Sequence, residues 1–95
     1  MKKHMIIKPG EVLLEEFLKP MDITPYRAAK DVNVPSNRIT GIINGTRNIT
    51  ADTALRLGRY FGTSAQFWMN LQANYDLKVA ECEKGKEIEL IEECA

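Results

Sequence analysis

Apolar residues recur at three- and four-residue spacing along most of the chain, and no β-branched alternation is long enough for a confident strand. In "PGEVLLEEFLKPM", Val12, Leu13, Phe17 and Leu18 mark a first helix. Glu11, Glu15 and Glu16 favour its start through the helix dipole, and Pro20 stops it. "ITPYRAAKDVNV" predicts a second helix with Thr24 as N-cap and Pro25 at the first helical position, ending near Asp31. A third runs from about Pro35 to Asn44 and closes at Gly45. A fourth spans Ala51 to Phe61, capped by Thr50, with Asp52 in its first turn and Gly62 at its end. A fifth opens on a Thr63/Gln66 capping box and carries Trp68, Leu71 and Tyr75 at i, i+3 and i+7. It is expected to reach Lys84 and to break at Gly85, after which "KEIELIEEC" reads as either a short amphipathic helix or a strand.

Helices two and three are separated only by Val32 to Val34, a link short enough to force a sharp crossing, as in a helix-turn-helix. Ala29 is small where the two helices must approach, and Ile39 and Ile42 are spaced to face the second helix and the core. Asn33 occupies the turn position that favours positive φ, which asparagine tolerates better than most residues. Helix three then buries Ile39, Ile42 and Ile43 and turns outward Ser36, Asn37, Thr40, Gly41 and Asn44. Such a rim packs poorly against protein but suits base edges: asparagine pairs with adenine, and serine or threonine with several bases. Arg38 can reach guanine or a phosphate, and Gly41 lacks bulk where the helix would approach a groove. Asn44, Thr46 and Arg47 of "NGTRN" offer donors to phosphate, as do Thr24, Tyr26 and Arg27 at the start of helix two.

Charge sharpens this picture. The 95 residues balance to zero, yet Ile23 to Gly62 holds six basic residues against Asp31 and Asp52, a net charge of +4. Asp76 to Ala95 holds three lysines against seven acids, a net charge of −4. A basic middle and an acidic end suit two partners of opposite charge, although two ordinary solvated faces would look the same. The length fits one domain, with a core modest enough that dimerisation is a plausible supplement.

Other chemistry is sparse. Cys82 and Cys94 lack zinc spacing and are expected to be free thiols, and His4, the sole histidine, sits near the N-terminus. No Ser/His/Asp set, metal cluster or phosphate-cradling glycine loop points to an enzyme, and neither a metal nor a cofactor is expected. The start "MKKHMIIKPG" is too short for a secretory signal, and no apolar run approaches the roughly 20 residues of a membrane span, so a cytoplasmic protein with no membrane partner is expected.

The segment "TPYRAAKDVNVPSNRITGIINGTRNITADTALRLGRYFGTSAQFWMNLQANYDL", with "PGEVLLEEFLKP" before it, resembles the HigA-type antitoxins of bacterial toxin–antitoxin operons. These are members of the Xre/Cro-like helix-turn-helix group. The match runs from about Lys8 to Val79, and "RNITADTALRL" followed by "FGTSAQFWMNLQ" is its most specific part. The resemblance implies an all-α, five-helix domain that dimerises on an inverted-repeat operator of double-stranded DNA in its own promoter. It also implies a partner, a small basic RelE-like toxin that cuts mRNA. Ser36, Asn37, Thr40 and Gly41 match the groove-facing positions with Arg38 alongside, and Arg47 matches the basic residue of the following loop. Asn33 replaces the usual turn glycine, and Gly41 a longer side chain.

On this reading residues 1–79 form the DNA-binding domain and 80–95 an acidic extension. Trp68, Leu71, Tyr75 and Leu77 of helix five are expected either at the dimer seam or in the monomer core. A stand-alone Xre-family regulator would carry the same sequence features, and an adjacent gene for a small basic protein would separate the two readings.

Overall fold

The structure, a computed structural model, describes residues 6–94, so His4 lies outside the described residues. Among the described residues the chain forms five helical elements. The first, α1, is α-helical over Pro9–Val12 and continues as a π-helical stretch, Leu13–Leu18. Then come α2 (Pro25–Val32), α3 (Ser36–Asn44), α4 (Ala51–Phe61) and α5 (Ala65–Glu89).

The π stretch is a departure from the expected regular helix. Lys19 N–H donates to Leu14 O at 2.9 Å and Ile23 N–H to Leu18 O at 2.9 Å, both five residues back. Residues five apart diverge by about 140° around an α-helix. The wider π turn brings Leu13 and Leu18 to the same buried side, where both are fully inaccessible.

Local chemistry sets most boundaries. Thr24 Oγ1 accepts from Arg27 N–H at 3.1 Å, and Thr50 Oγ1 from Thr53 N–H at 3.5 Å, so both cap as expected. Asn33 takes the left-handed conformation at φ 63°, where its N–H closes α2 on Lys30 O, and Gly45 does the same for α3 at φ 85°.

Two expectations are corrected. Ser64, not Thr63, caps α5: its Oγ accepts from Phe67 N–H at 3.0 Å. Thr63 Oγ1 instead accepts from the Trp68 indole at 2.7 Å, and Gln66 bonds Asn70. Gly85 does not end α5, which runs on to Glu89 and makes the "KEIELIEEC" segment helical as far as that residue. A mid-helix glycine weakens a helix by about 1 kcal/mol without forbidding it, and neither proline nor a left-handed cap follows.

The core gathers Leu13, Leu18, Ala28, Ala29, Ile39, Ile42, Ile49, Ala54, Leu57 and Trp68. Phe17 lies 4.9 Å, centroid to centroid, from both Phe61 and Trp68, so an aromatic cluster joins α1, α4 and α5. At the other end α1 crosses α3 at Gly10. A Cβ there would stand 2.2 Å from Ile42 O and 2.7 Å from Ile43 Cα, so only glycine permits the approach. Gln72 of α5 is buried, accepts from Ile49 N–H at 2.8 Å and donates to Asp76 at 3.0 Å. That pair ties the segment after α3 to α5. No helix among the described residues is long and apolar enough to cross a membrane.

Candidate nucleic-acid interface

Helix α3 is held from three sides. Ile39 and Ile42 are buried against the core, α2 packs across the Asn33 turn, and α1 lies against its C-terminal end at Gly10. What remains outward is the polar rim: Ser36, Asn37 and Asn44 are exposed and Thr40 half-buried. The Thr40 hydroxyl donates to Ser36 O at 3.2 Å, which leaves its oxygen lone pairs and methyl to meet a base.

Gly41 differs from expectation. It is buried, and a Cβ on it would fall 2.8 Å from Cγ and Cδ of Arg47. The chain turns back after α3, with Thr46 N–H and Arg47 N–H donating to Gly41 O at 2.8 and 3.1 Å and Thr46 Oγ1 to the same oxygen at 3.3 Å. The Arg47 stem therefore lies on Gly41. The glycine makes room for an arginine of its own chain instead of offering an open floor to a groove.

The cations are not equally free. Arg47 remains exposed and among the described residues has no salt bridge. Arg27 sends Nε to Asp31 at 3.1 Å, and Thr46 commits both its N–H and its hydroxyl to Gly41 O, so both have less to offer a phosphate than the sequence suggests, whereas Thr24 only accepts at its cap and keeps its hydroxyl proton. Tyr26, 68% exposed, projects beside Thr24 and Arg27. Arg38 pairs through Nη1 with Oδ2 of Asp52, the same oxygen that accepts from Arg56 Nε at 2.9 Å. Arg56 Nη1 in turn donates to Val32 O at the end of α2, at 2.8 Å.

Both carboxylates are held below their ordinary pKa. For Asp52 the main causes are hydrogen bonds from Arg56 and then Arg38. For Asp31 the main cause is the hydroxyl of Tyr60, which donates at 2.6 Å, and the same bond raises the Tyr60 pKa. A carboxylate with a depressed folded pKa stabilises the fold fully above its unfolded pKa of about 3.9, and that contribution fades as pH falls through the lower folded value. Tyr60→Phe should raise the Asp31 pKa toward its ordinary value, read from the pH titration of the Asp31 side-chain carboxyl carbon by NMR. An unchanged titration would show that the hydroxyl does not hold the carboxylate.

The four residues expected on α5 separate into two groups. Trp68 is fully buried, so of its two alternatives the core applies and it cannot meet a partner. Leu71 and Tyr75 are half-buried and Leu77 exposed, and together with Ile7 and Lys78 they line a shallow apolar hollow beside α5. Spacing alone could not divide them, because core and seam use the same period. The Asp52 contact with Arg38 was also invisible in the sequence: it joins residues fourteen apart with no shared periodicity.

Among the described residues, no group of His, Cys, Asp or Glu is placed to hold a metal ion, and Cys82 and Cys94 are free, exposed thiols.

A helix-turn-helix family profile matches residues 14–68. The chain is 55% identical over 78 residues to virulence-associated protein I of Dichelobacter nodosus, covering 82% of this chain and 72% of that protein. It is 37% identical over 75 residues to antitoxin HigA-1 of Vibrio cholerae, covering 79% of this chain and 70% of that one. Its backbone is similar to the solved structure of Pseudomonas aeruginosa antitoxin HigA with the higBA promoter. There the TM-score is 0.91 at 47% identity, over 96% of this chain and 100% of that one.

Proposed function

The chain belongs to the HigA-type antitoxins of the helix-turn-helix family, and from that membership we propose a two-part function. As a dimer it binds an inverted repeat in its own promoter and represses its operon. It also neutralises a small basic RelE-like toxin that cleaves mRNA. The function is one of binding, without a catalytic step, and it is exercised in the cytoplasm.

The observation that carries the DNA-binding part is the outward rim of α3, fixed by a buried Ile39 and Ile42 on its opposite side. Two such helices, one per subunit, enter successive major grooves about 34 Å apart. Ser36, Asn37, Arg38 and Thr40 meet base edges. Arg47, seated on Gly41, meets a phosphate together with Asn44 and Thr46, and Thr24, Tyr26 and Arg27 at the start of α2 meet another. The flank of α5 that carries half-buried Leu71 and Tyr75 and exposed Leu77 forms the dimer seam. Residues 1–79 act as the DNA-binding unit, and the acidic residues 80–95 meet the basic toxin through complementary charge.

An equilibrium shift assay on the DNA upstream of the gene, run at two salt concentrations, tests the DNA reading. Arg47→Ala should weaken binding to every duplex and flatten the salt dependence by about one unit of slope. Asn37→Ala should instead cost about 1–3 kcal/mol on the operator and little on other DNA. Equal behaviour of the two variants would overturn this division of labour. Co-expression with the neighbouring gene tests the other part: the expected result is co-purification of a small basic protein whose toxicity the chain suppresses.

A further inference from the structure

We propose that Asp52 is a specificity-determining positioning residue, which orients Arg38 so that its remaining donors read a guanine edge. The inference rests on the reading that α3 faces DNA, and it goes further by assigning the base and the residue that selects it.

Arg38 stands on the flank of α3 turned toward the start of α4, and its side chain is 32% exposed, so it is largely packed yet still reaches the surface. Asp52 engages only Nη1, which leaves Nε and Nη2 among the guanidinium donors not bonded to the carboxylate. The carboxylate itself is anchored. Arg56 Nε donates to the same oxygen at 2.9 Å, and Arg56 Nη1 is fixed at 2.8 Å on the carbonyl of Val32, the last residue of α2. The chain Val32–Arg56–Asp52–Arg38 thus braces one side chain of α3 from both α2 and α4.

The consequence for recognition follows from geometry. A bidentate contact to guanine O6 and N7 needs the planar fork held in one orientation, and a braced arginine has lost that rotational freedom before binding. On other sequences the same brace keeps the guanidinium from swinging to a phosphate, so Arg38 contributes little there. Asp52 raises the ratio of operator to non-operator binding from both ends. It also places a negative charge near DNA, which a residue without a compensating role would not be expected to carry.

The test compares the protein's own upstream duplex with a scrambled duplex of equal composition. Asp52→Asn should lower the operator-to-scrambled affinity ratio about tenfold, the scale of one bidentate base contact. The salt slope on scrambled DNA should steepen by about 0.9 as Arg38 turns to phosphate. Asp52→Glu, which keeps the carboxylate, should recover most of the ratio, and Asp52→Asn added to Arg38→Ala should change it less than twofold. Base-pair scanning of the operator should find a G·C pair whose replacement weakens the wild type but neither Arg38→Ala nor Asp52→Asn. Equal effects of Asp52→Asn on both duplexes, or an undiminished effect without Arg38, would overturn the proposal while leaving the α3 reading intact. A wild-type protein that binds both duplexes alike would overturn both.

Discussion

Gly10→Ala should be among the most damaging single substitutions in the molecule, and it should reach DNA binding through a residue that touches no DNA. The added methyl meets Ile42 O at 2.2 Å and Ile43 Cα at 2.7 Å, and both are backbone atoms that cannot rotate aside. Alanine in a helix gains at most about 1 kcal/mol over glycine. Forcing two backbones apart costs about 3 kcal/mol, the upper part of the range for overpacking, so the clash wins. Relief requires α1 or the C-terminal half of α3 to move, and the second choice shifts Asn44 and the turn that seats Arg47. Urea denaturation should show a loss of about 2 kcal/mol, the difference between those two terms. Shift assays on protein that remains folded should show a further loss of operator affinity. Wild-type stability in Gly10→Ala would mean that α1 does not press on α3 as described.

Trp68→Ala is the second. The indole is fully buried, stands 4.9 Å from the Phe17 ring and donates to Thr63 Oγ1 at 2.7 Å. Truncating a buried tryptophan costs about 3–5 kcal/mol, a large share of the 5–15 kcal/mol that holds a typical domain together. Trp68→Phe keeps a ring but strands the Thr63 partner, and should cost about 1–2 kcal/mol beyond the lost volume. Denaturant midpoints at several protein concentrations check this. A core role lowers the midpoint at every concentration, whereas a midpoint shift confined to dilute protein would place Trp68 at a subunit seam after all.

The readable parts of the sequence were those decided within a turn or two of chain. Thr24, Thr50, Gly45 and Gly62 each act on their own helix end, and Asn33 accepts its left-handed turn from its own side-chain chemistry. The polar rim of α3 was legible because burial of Ile39 and Ile42 fixes the opposite face. The missed features each depend on a residue from elsewhere. Thr63 and Ser64 are both good caps, and the choice falls to Ser64 because the Trp68 indole claims Thr63. Gly41 serves Arg47, which returns to it only after the chain has reversed. Asp52 looks like an ordinary acidic first-turn residue until α3 is placed beside it. Gly85 misled for another reason, since a propensity penalty is a preference and a 25-residue helix absorbs it.

The π-helical stretch in α1 sets the phase between two parts of one helix. Wound as an uninterrupted α-helix with no residue removed, the stretch Leu13–Leu18 would rotate Pro9–Val12 by about 100° about the helix axis relative to Leu18. Glu11, which bears a side chain, would then swing toward the space over Ile42 O that Gly10 leaves clear. The wide turn is thus a clutch between the aromatic end of the molecule and its DNA-facing end, engaged at a single angular setting.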